Sequence, residues 1–154
     1  MRILLFEDRG DASVELKKWL DDHGYGDCKH VLSVRDARSV PLEDIDCIIL
    51  DLNISPVGLT EDEIAQTHGG IITGWVWLES NVLKTELEEK MRGKVIILSE
   101  YIGFLKNISQ DHSDLGEKLA GIETIPKSDS HVYDKLERKL REIQNSLRSG
   151  GGND

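Results

Sequence analysis

Three acids, one hydroxyl and one amine follow short apolar runs at separate places in the sequence. They are Glu7 and Asp8, Asp51, Ser99 and Lys127. Carboxylates that converge in one crevice repel each other unless a cation neutralises them. Mg²⁺ suits such a site because it binds through few carboxylates, accepts a backbone carbonyl and keeps several waters. A carboxylate nucleophile, a metal, a hydroxyl and an ammonium are the groups needed to receive a phosphoryl group, whose charge spreads over three oxygens.

The five apolar runs predict five strands. They cover residues 2–6, 28–33, 46–51, 94–99 and 122–126. Most of these runs are short and continuously apolar, which is typical of strands buried on both faces of a sheet. The acids, the hydroxyl and the amine therefore stand at or just beyond the carboxyl ends of four predicted strands.

Helical segments separate these strands. Apolar residues recur at helical spacing over 12–23 and again over 132–147, which predicts two amphipathic helices. Residues 71–91 have a wide apolar face and predict one long helix. The sequence predicts a short helix or loop at 34–44, and a loop plus a short helix at 101–121.

Residues 52–70 contain turn formers and several acids and predict a long exposed loop. Loops of this length without secondary structure of their own are uncommon and often functional. The last residues are rich in glycine. The predicted organisation is one domain over 1–147 with an expanded loop at 54–70, followed by a flexible tail at 148–154.

Alternation of buried strands with helices predicts an α/β fold, a doubly wound parallel sheet of five strands between two helical layers. In such sheets the ligand site lies at the carboxyl ends of the strands, where the strand order reverses. The chemistry-bearing residues are expected to meet there.

Composition excludes several other classes of protein. The chain has 154 residues, enough for one domain with its own core, and a formal net charge of -10. That charge disfavours a nucleic-acid partner and an anionic membrane surface. No run approaches the roughly 20 apolar residues of a membrane span, and no signal peptide is recognisable, so we expect a cytoplasmic protein. Cys28 and Cys47 lie in apolar runs and are expected to be buried free thiols.

The ordered set of strand-end residues resembles the receiver domains of two-component response regulators. The matching residues are "FED" at 6–8, "DLN" at 51–53, Ser99 and Lys127, and the resemblance extends from residue 1 to about 147. It implies a flavodoxin-like fold and the chemistry of phosphoryl transfer.

The resemblance also implies a role for each residue. Asp51 would be the phosphoacceptor, while Ser99 and Lys127 would bind the phosphoryl group. Mg²⁺ would be held by the carboxylates of Glu7, Asp8 and Asp51. The backbone carbonyl of Asn53 would be its fourth protein ligand.

The sequence departs from the family pattern at several positions. Lys127 is followed by Ser128, where receivers usually have a proline in a cis bond, and Pro126 comes before it. Thr124 stands where many receivers carry an aromatic switch residue. Glu100 follows the hydroxyl, where a small residue is usual, and its bulk and charge are expected to hinder access of a phosphodonor.

Three functions are compatible with these residues. The favoured one is a stand-alone receiver that takes a phosphoryl group from a histidine kinase or phosphotransfer protein and signals to a downstream protein, with a homodimer as a further expected partner. Its own chemistry would be at most self-phosphorylation and autodephosphorylation. The alternative is a pseudo-receiver that acts as an interaction module without phosphorylation. A flavodoxin-like cofactor-binding enzyme is disfavoured because the loop "EDRGD" at 7–11 is acidic where a cofactor phosphate would bind.

Overall fold

The computed structural model describes residues 1–111 and 113–151. Its strands are β1 (Ile3–Phe6), β2 (Cys28–Val31), β3 (Cys47–Leu50), β4 (Val95–Ser99) and β5 (Glu123–Pro126). All neighbouring strands pair in parallel in the order β2-β1-β3-β4-β5. This is the flavodoxin-like order, whose switch point lies between β1 and β3. The predicted fold class and all five predicted strands are confirmed.

Eight α-helices are assigned within the described residues. They are α1 (Gly10–Asp22), α2 (Val34–Ala37), α3 (Glu61–Ala65), α4 (Thr73–Leu78), α5 (Leu87–Met91), α6 (Ile102–Asp111), α7 (Ser113–Ala120) and α8 (Val132–Gly151). A 3-10 turn at Leu42–Asp44 precedes β3. No helix within the described ranges has both the length and the apolar composition that crossing a membrane requires.

Alternate residues of the central strands face two separate cores. On one face, Leu4 and Phe6 of β1 pack with buried residues of α2 and α4 to α7. On the other face, Ile3 and Leu5 pack with buried residues of α1 and α8. β1, β3 and β4 are buried along their whole length. Two buried faces explain why these strands are continuously apolar rather than alternating.

The segment 71–91, predicted as one helix, is broken in the middle. α4 continues into a π-helical turn over Glu79–Leu83, and α5 begins only after a further turn. Two side chains compete with helical amides for backbone carbonyls in this segment. Asn81 donates through Nδ2 to the Trp77 carbonyl at 2.9 Å. The Thr85 hydroxyl donates to the carbonyl three residues before it at 2.8 Å. Such bonds offer the backbone an alternative to continuing the helix.

The prediction of an unstructured loop over 52–70 is wrong, because this segment contains α3. The helix begins at a capping box in which the Thr60 hydroxyl accepts from the Glu63 amide and the Glu63 carboxylate accepts from the Thr60 amide. Ile54 and Thr67 are buried. The predicted expanded loop at 54–70 is therefore an ordered insertion.

Two further boundaries differ from the prediction. Residues 101–121 form two helices, α6 and α7, rather than a loop and one short helix. α8 extends to Gly151, so residues 148–151 of the predicted tail are helical. Residues 152–154, the remainder of that tail, lie outside the described residues.

Both cysteines are free thiols, as predicted. Cys47 is buried and Cys28 is half-buried, and burial raises the pKa of Cys28 to about 11 and that of Cys47 to about 12. Both residues pair with Ile3, from opposite sides of β1. Two strand spacings separate them by about 10 Å, beyond the roughly 7 Å limit for a disulfide.

Gly74 lies where α4 meets the end of β3. Its amide donates to the Leu52 carbonyl at 2.8 Å, and a Cβ at this position would stand 2.2 Å from the Asp51 carbonyl oxygen. Only a residue without a side chain allows this approach. The site at the end of β3 therefore depends on glycine at position 74.

We expect Gly74→Ala to lower the free energy of unfolding by about 1–3 kcal/mol, the usual cost of overpacking. Gly103→Ala is the matched control, since a Cβ there meets nothing within 4 Å and Gly103 lies in α6. Alanine should stabilise that helix by up to about 1 kcal/mol. Urea unfolding measures both changes, and equal stabilities for the two variants would contradict the close approach.

Candidate functional site

The sheet delivers two acids to its switch point. Beyond the last paired residues of β1 and β3, the Asp51 amide still donates to the Phe6 carbonyl at 3.0 Å, and the Glu7 amide to the Val31 carbonyl at 3.4 Å. Backbone pairing thus continues through both acids. Glu7 is 3% exposed and Asp51 is 5% exposed, so both carboxylates lie inside the crevice.

Lys127 joins these two acids. Its Nζ donates to Glu7 Oε2 at 2.6 Å and to Asp51 Oδ2 at 2.7 Å. Its backbone amide donates to the Ser99 carbonyl at 3.1 Å, which extends the pairing of β5 with β4. The described chain contains no cis peptide bond. Lys127 therefore reaches the acids without a following cis proline.

Ser99, at the end of β4, is fully buried and donates its hydroxyl to Asp51 Oδ1 at 2.7 Å. The same hydroxyl oxygen accepts from the amides of Leu52 at 3.4 Å and Tyr101 at 3.2 Å. The Asn53 amide donates to Asp51 Oδ1 at 3.3 Å. Both oxygens of the Asp51 carboxylate therefore accept hydrogen bonds from different strand ends.

Negative charge exceeds positive charge among these groups. Burial raises the pKa of Glu7, and the charge of Asp51 adds to the shift while Lys127 opposes it. Asp8 is partly buried, and its pKa is raised by burial and then by Asp51, with a hydrogen bond from the Ser55 backbone in opposition. Burial alone would lower the pKa of Lys127, but its two carboxylate partners outweigh burial and raise it.

The donor atoms match the chemistry of Mg²⁺, which prefers carboxylate and carbonyl oxygens. The ammonium of Lys127 contacts two of the three carboxylates, those of Glu7 and Asp51. Within the described part of the chain, no three acidic, histidine or cysteine side chains already stand at metal-binding geometry. Lys127 offsets part of the negative charge of Glu7 and Asp51 directly.

Glu100 lies near this crevice but is not an isolated charge. Its carboxylate lies 3.6 Å from the guanidinium of Arg9, and both side chains are about half exposed. Thr124 is half-buried in β5 and pairs with Ile97 of β4. The hydrogen bonds of the crevice come from the strand-end residues rather than from Thr124.

Arg9 and His30 interact with this crevice and were not predicted as site residues from the sequence. Arg9 directly follows Glu7 and Asp8, so its position in the sequence could have indicated that it lies at the site. His30 of β2 hydrogen-bonds through Nε2 to the Glu7 carbonyl at 2.7 Å. A carbonyl only accepts, so Nε2 carries the proton in this contact. The His30 contact depends on β2 lying beside β1, which no local pattern reveals.

The pKa of Glu7 predicts how stability changes with pH. Because the folded-state pKa of Glu7 is raised above its ordinary value of 4.5, stability falls as the pH rises from about 4.5 to the folded-state pKa and stays lower at higher pH. We expect Glu7→Gln to be more stable than the wild type at pH 7 in metal-free buffer. The difference should vanish as the pH falls below about 4.5, where Glu7 is protonated in both states.

Denaturant unfolding from pH 4 to pH 8 measures this effect. Glu89→Gln, an exposed glutamate on α5, is the control and should show no such trend. A wild type more stable than Glu7→Gln at pH 7 would mean that the Lys127 contact outweighs burial.

No protein-family model matches the chain, and no curated protein matches its sequence. Solved structures do match. The non-phosphorylated receiver domain of HemR from Leptospira biflexa superposes with a TM-score of 0.59 at 21% identity, covering 92% of each chain. Chemotaxis protein CheY4 from Vibrio cholerae has a TM-score of 0.56 at 16% identity, over 92% of this chain and 97% of that one.

NtrX from Brucella abortus superposes with a TM-score of 0.59 at 15% identity, over 98% of this chain but only 29% of NtrX. At these identities the similarity concerns the fold. The fold of this chain is that of response-regulator receiver domains, and the resemblance predicted from the strand-end residues is confirmed at that level.

Proposed function

We propose that this chain is a receiver that accepts a phosphoryl group on Asp51 and signals through protein contacts. One observation carries the proposal: both oxygens of the buried Asp51 carboxylate are held, one by the Ser99 hydroxyl and one by the Lys127 ammonium. A carboxylate fixed in one orientation next to a donor and a cation is prepared to act as a nucleophile toward phosphorus.

In the proposed step, one Asp51 oxygen attacks the phosphorus of a phosphohistidine on a histidine kinase or phosphotransfer protein. A P–O bond forms and the P–N bond breaks. The electron pair of that bond stays on the histidine nitrogen, and the product is an aspartyl phosphate. The Ser99 hydroxyl and the Lys127 ammonium then have phosphoryl oxygens as new acceptors.

Mg²⁺ completes the proposal. Glu7, Asp8 and Asp51, with the backbone carbonyl of Asn53, would hold the ion. Its chemistry there would be to neutralise part of the negative charge that an incoming phosphoryl group meets. The raised pKa values of Glu7 and Asp8 support a need for added positive charge.

The proposed partners follow from this chemistry. A cytoplasmic histidine kinase or phosphotransfer protein would supply the phosphoryl group, and a downstream protein, or a second copy of the chain, would bind the altered surface. The formal net charge of -10 supports a protein partner rather than nucleic acid.

A pseudo-receiver is the second candidate function. Lys127 already pairs with both Glu7 and Asp51, and the ion pair of Arg9 with Glu100 lies beside the crevice. A lysine that joins three strand ends in this way can serve as the structural centre of an interaction module. The labelling experiment below separates the two functions.

Asp51→Asn should abolish labelling. Incubation with acetyl phosphate and Mg²⁺, followed by intact-mass analysis, should add one phosphoryl group to the wild type and none to the variant, because the amide is a far weaker nucleophile. Asp62→Asn, which changes an exposed acid of α3, is the control and should label like the wild type. A wild type that stays unlabelled with both acetyl phosphate and phosphorylated histidine kinases would favour the pseudo-receiver.

Asp8→Asn should weaken Mg²⁺ binding by about tenfold or more while the fold is retained, since it removes one charged ligand from a partly exposed position. Calorimetric titration measures the affinity, and circular dichroism checks the fold. Asp11→Asn, in the first turn of α1, is the matched control and should bind normally. Equal affinities for all three proteins would remove Asp8 from the metal site.

A further inference from the structure

The ion pair between Arg9 and Glu100 crosses the end of a strand. Arg9 follows the acids at the end of β1, and Glu100 follows Ser99 at the end of β4. β3 lies between β1 and β4 in the sheet. Two strand spacings amount to about 10 Å, so only long side chains can bridge this gap. The pair therefore spans the carboxyl end of β3, where Asp51 lies.

Both ends of this bridge are tied to the buried groups below it. The Arg9 amide donates to Glu7 Oε1 at 3.0 Å. Glu100 stands between Ser99 and Tyr101, whose amide donates to the Ser99 hydroxyl oxygen at 3.2 Å. The Arg9 and Glu100 side chains are 55% and 53% exposed, whereas the Asp51 side chain beneath them is 5% exposed. The pair thus forms the solvent-facing mouth of the crevice.

We infer that Arg9 is the residue that recognises the anionic phosphodonor at this mouth, and that Glu100 holds Arg9 until the donor replaces it. The inference rests on the proposed function for the class of ligand. A phosphate group offers a guanidinium several charged oxygens and can bind it bidentately. Glu100 competes for the same guanidinium.

The balance of charge explains why a cation is needed at the mouth. A donor that approaches Asp51 meets the carboxylates of the crevice, and Lys127, 17% exposed, is engaged with two of them. Arg9 is the cation placed at the solvent side of the same opening. Exposed ion pairs of this kind are weak, so exchange of Glu100 for a dianion is readily reversible.

Holding Arg9 is a different role for Glu100 from repelling the phosphodonor, and the two roles predict different results. If Glu100 only repelled the donor, its neutralisation would help equally with or without Arg9. If Glu100 acts by holding Arg9, its neutralisation should help only while Arg9 is present. A double-mutant cycle distinguishes the two cases.

The experiment compares the wild type, Arg9→Gln, Glu100→Gln and the double variant. The first readout is the affinity for inorganic phosphate in the presence of Mg²⁺, measured by NMR titration, and the second is the rate of labelling by acetyl phosphate. Glu100→Gln should raise the phosphate affinity and the labelling rate by up to about fivefold, because the free energy of one exposed ion pair corresponds to about that factor. Arg9→Gln should lower both, and the double variant should match Arg9→Gln.

Arg141→Gln and Glu137→Gln, which break an exposed ion pair on α8, form the control cycle and should change neither readout. Additive effects of Arg9→Gln and Glu100→Gln would overturn the inference, as would phosphate affinities that do not change in any variant. If either of these results came with normal labelling, the Arg9 inference would be wrong and the proposed function would still hold. Conversely, a non-additive cycle in phosphate affinity would support the Arg9 site even if the wild type stayed unlabelled with acetyl phosphate and with phosphorylated histidine kinases, a result that would reject the phosphoacceptor alone.

Discussion

The contact on which the site depends is the one between the Lys127 ammonium and two buried carboxylates. Glu7 and Asp51 cannot both remain charged in a closed crevice without a cation, because the loss of water around each charge is costly. Lys127 supplies that cation from β5, while the acids come from β1 and β3. Removing Lys127 would leave two buried carboxylates without their cation, and uncompensated buried charges typically cost about 3–5 kcal/mol. One ammonium thus links three strands of the sheet.

This contact also constrains what the site can do. Ser99, Lys127 and the Asn53 amide orient the Asp51 carboxylate before a ligand arrives, so little reorganisation of these groups is needed when a ligand binds beside it. Asp8 remains as further negative charge beside them. A divalent cation reduces the repulsion and a phosphoryl group increases it, so the two ligands are expected to favour each other's binding.

Much of the fold follows from simple physics of the sequence. Strands buried on both faces are continuously apolar, and parallel strands place their carboxyl ends together. For this reason the contact between residues at four strand ends, Glu7, Asp51, Ser99 and Lys127, could be predicted before the structure. The π-helical turn at 79–83 and the break after it could not be found in the same way. Apolar spacing predicts one helix there, whereas the side chains of Asn81 and Thr85 compete for the backbone carbonyls. His30 shows the same limit, because its contact depends on strand order.

The insertion at 54–70 packs against helices and also reaches the site, where the Ser55 backbone hydrogen-bonds to Asp8. It is attached to α2, where the Arg35 amide donates to the Val57 carbonyl at 2.9 Å and Arg38 donates to the Gly58 carbonyl. Its far end reaches α6, where the His68 ring lies 5.7 Å from that of Phe104.

Because the insertion runs from α2 to α6, it covers helices on one face of the sheet. The inferred mouth over Asp51 consists instead of the ion pair of Arg9 with Glu100, which follow β1 and β4. A substitution near Val57, Gly58 or His68 would therefore alter contacts with the helices, whereas one that moves the Ser55 backbone would also weaken its hydrogen bond to Asp8.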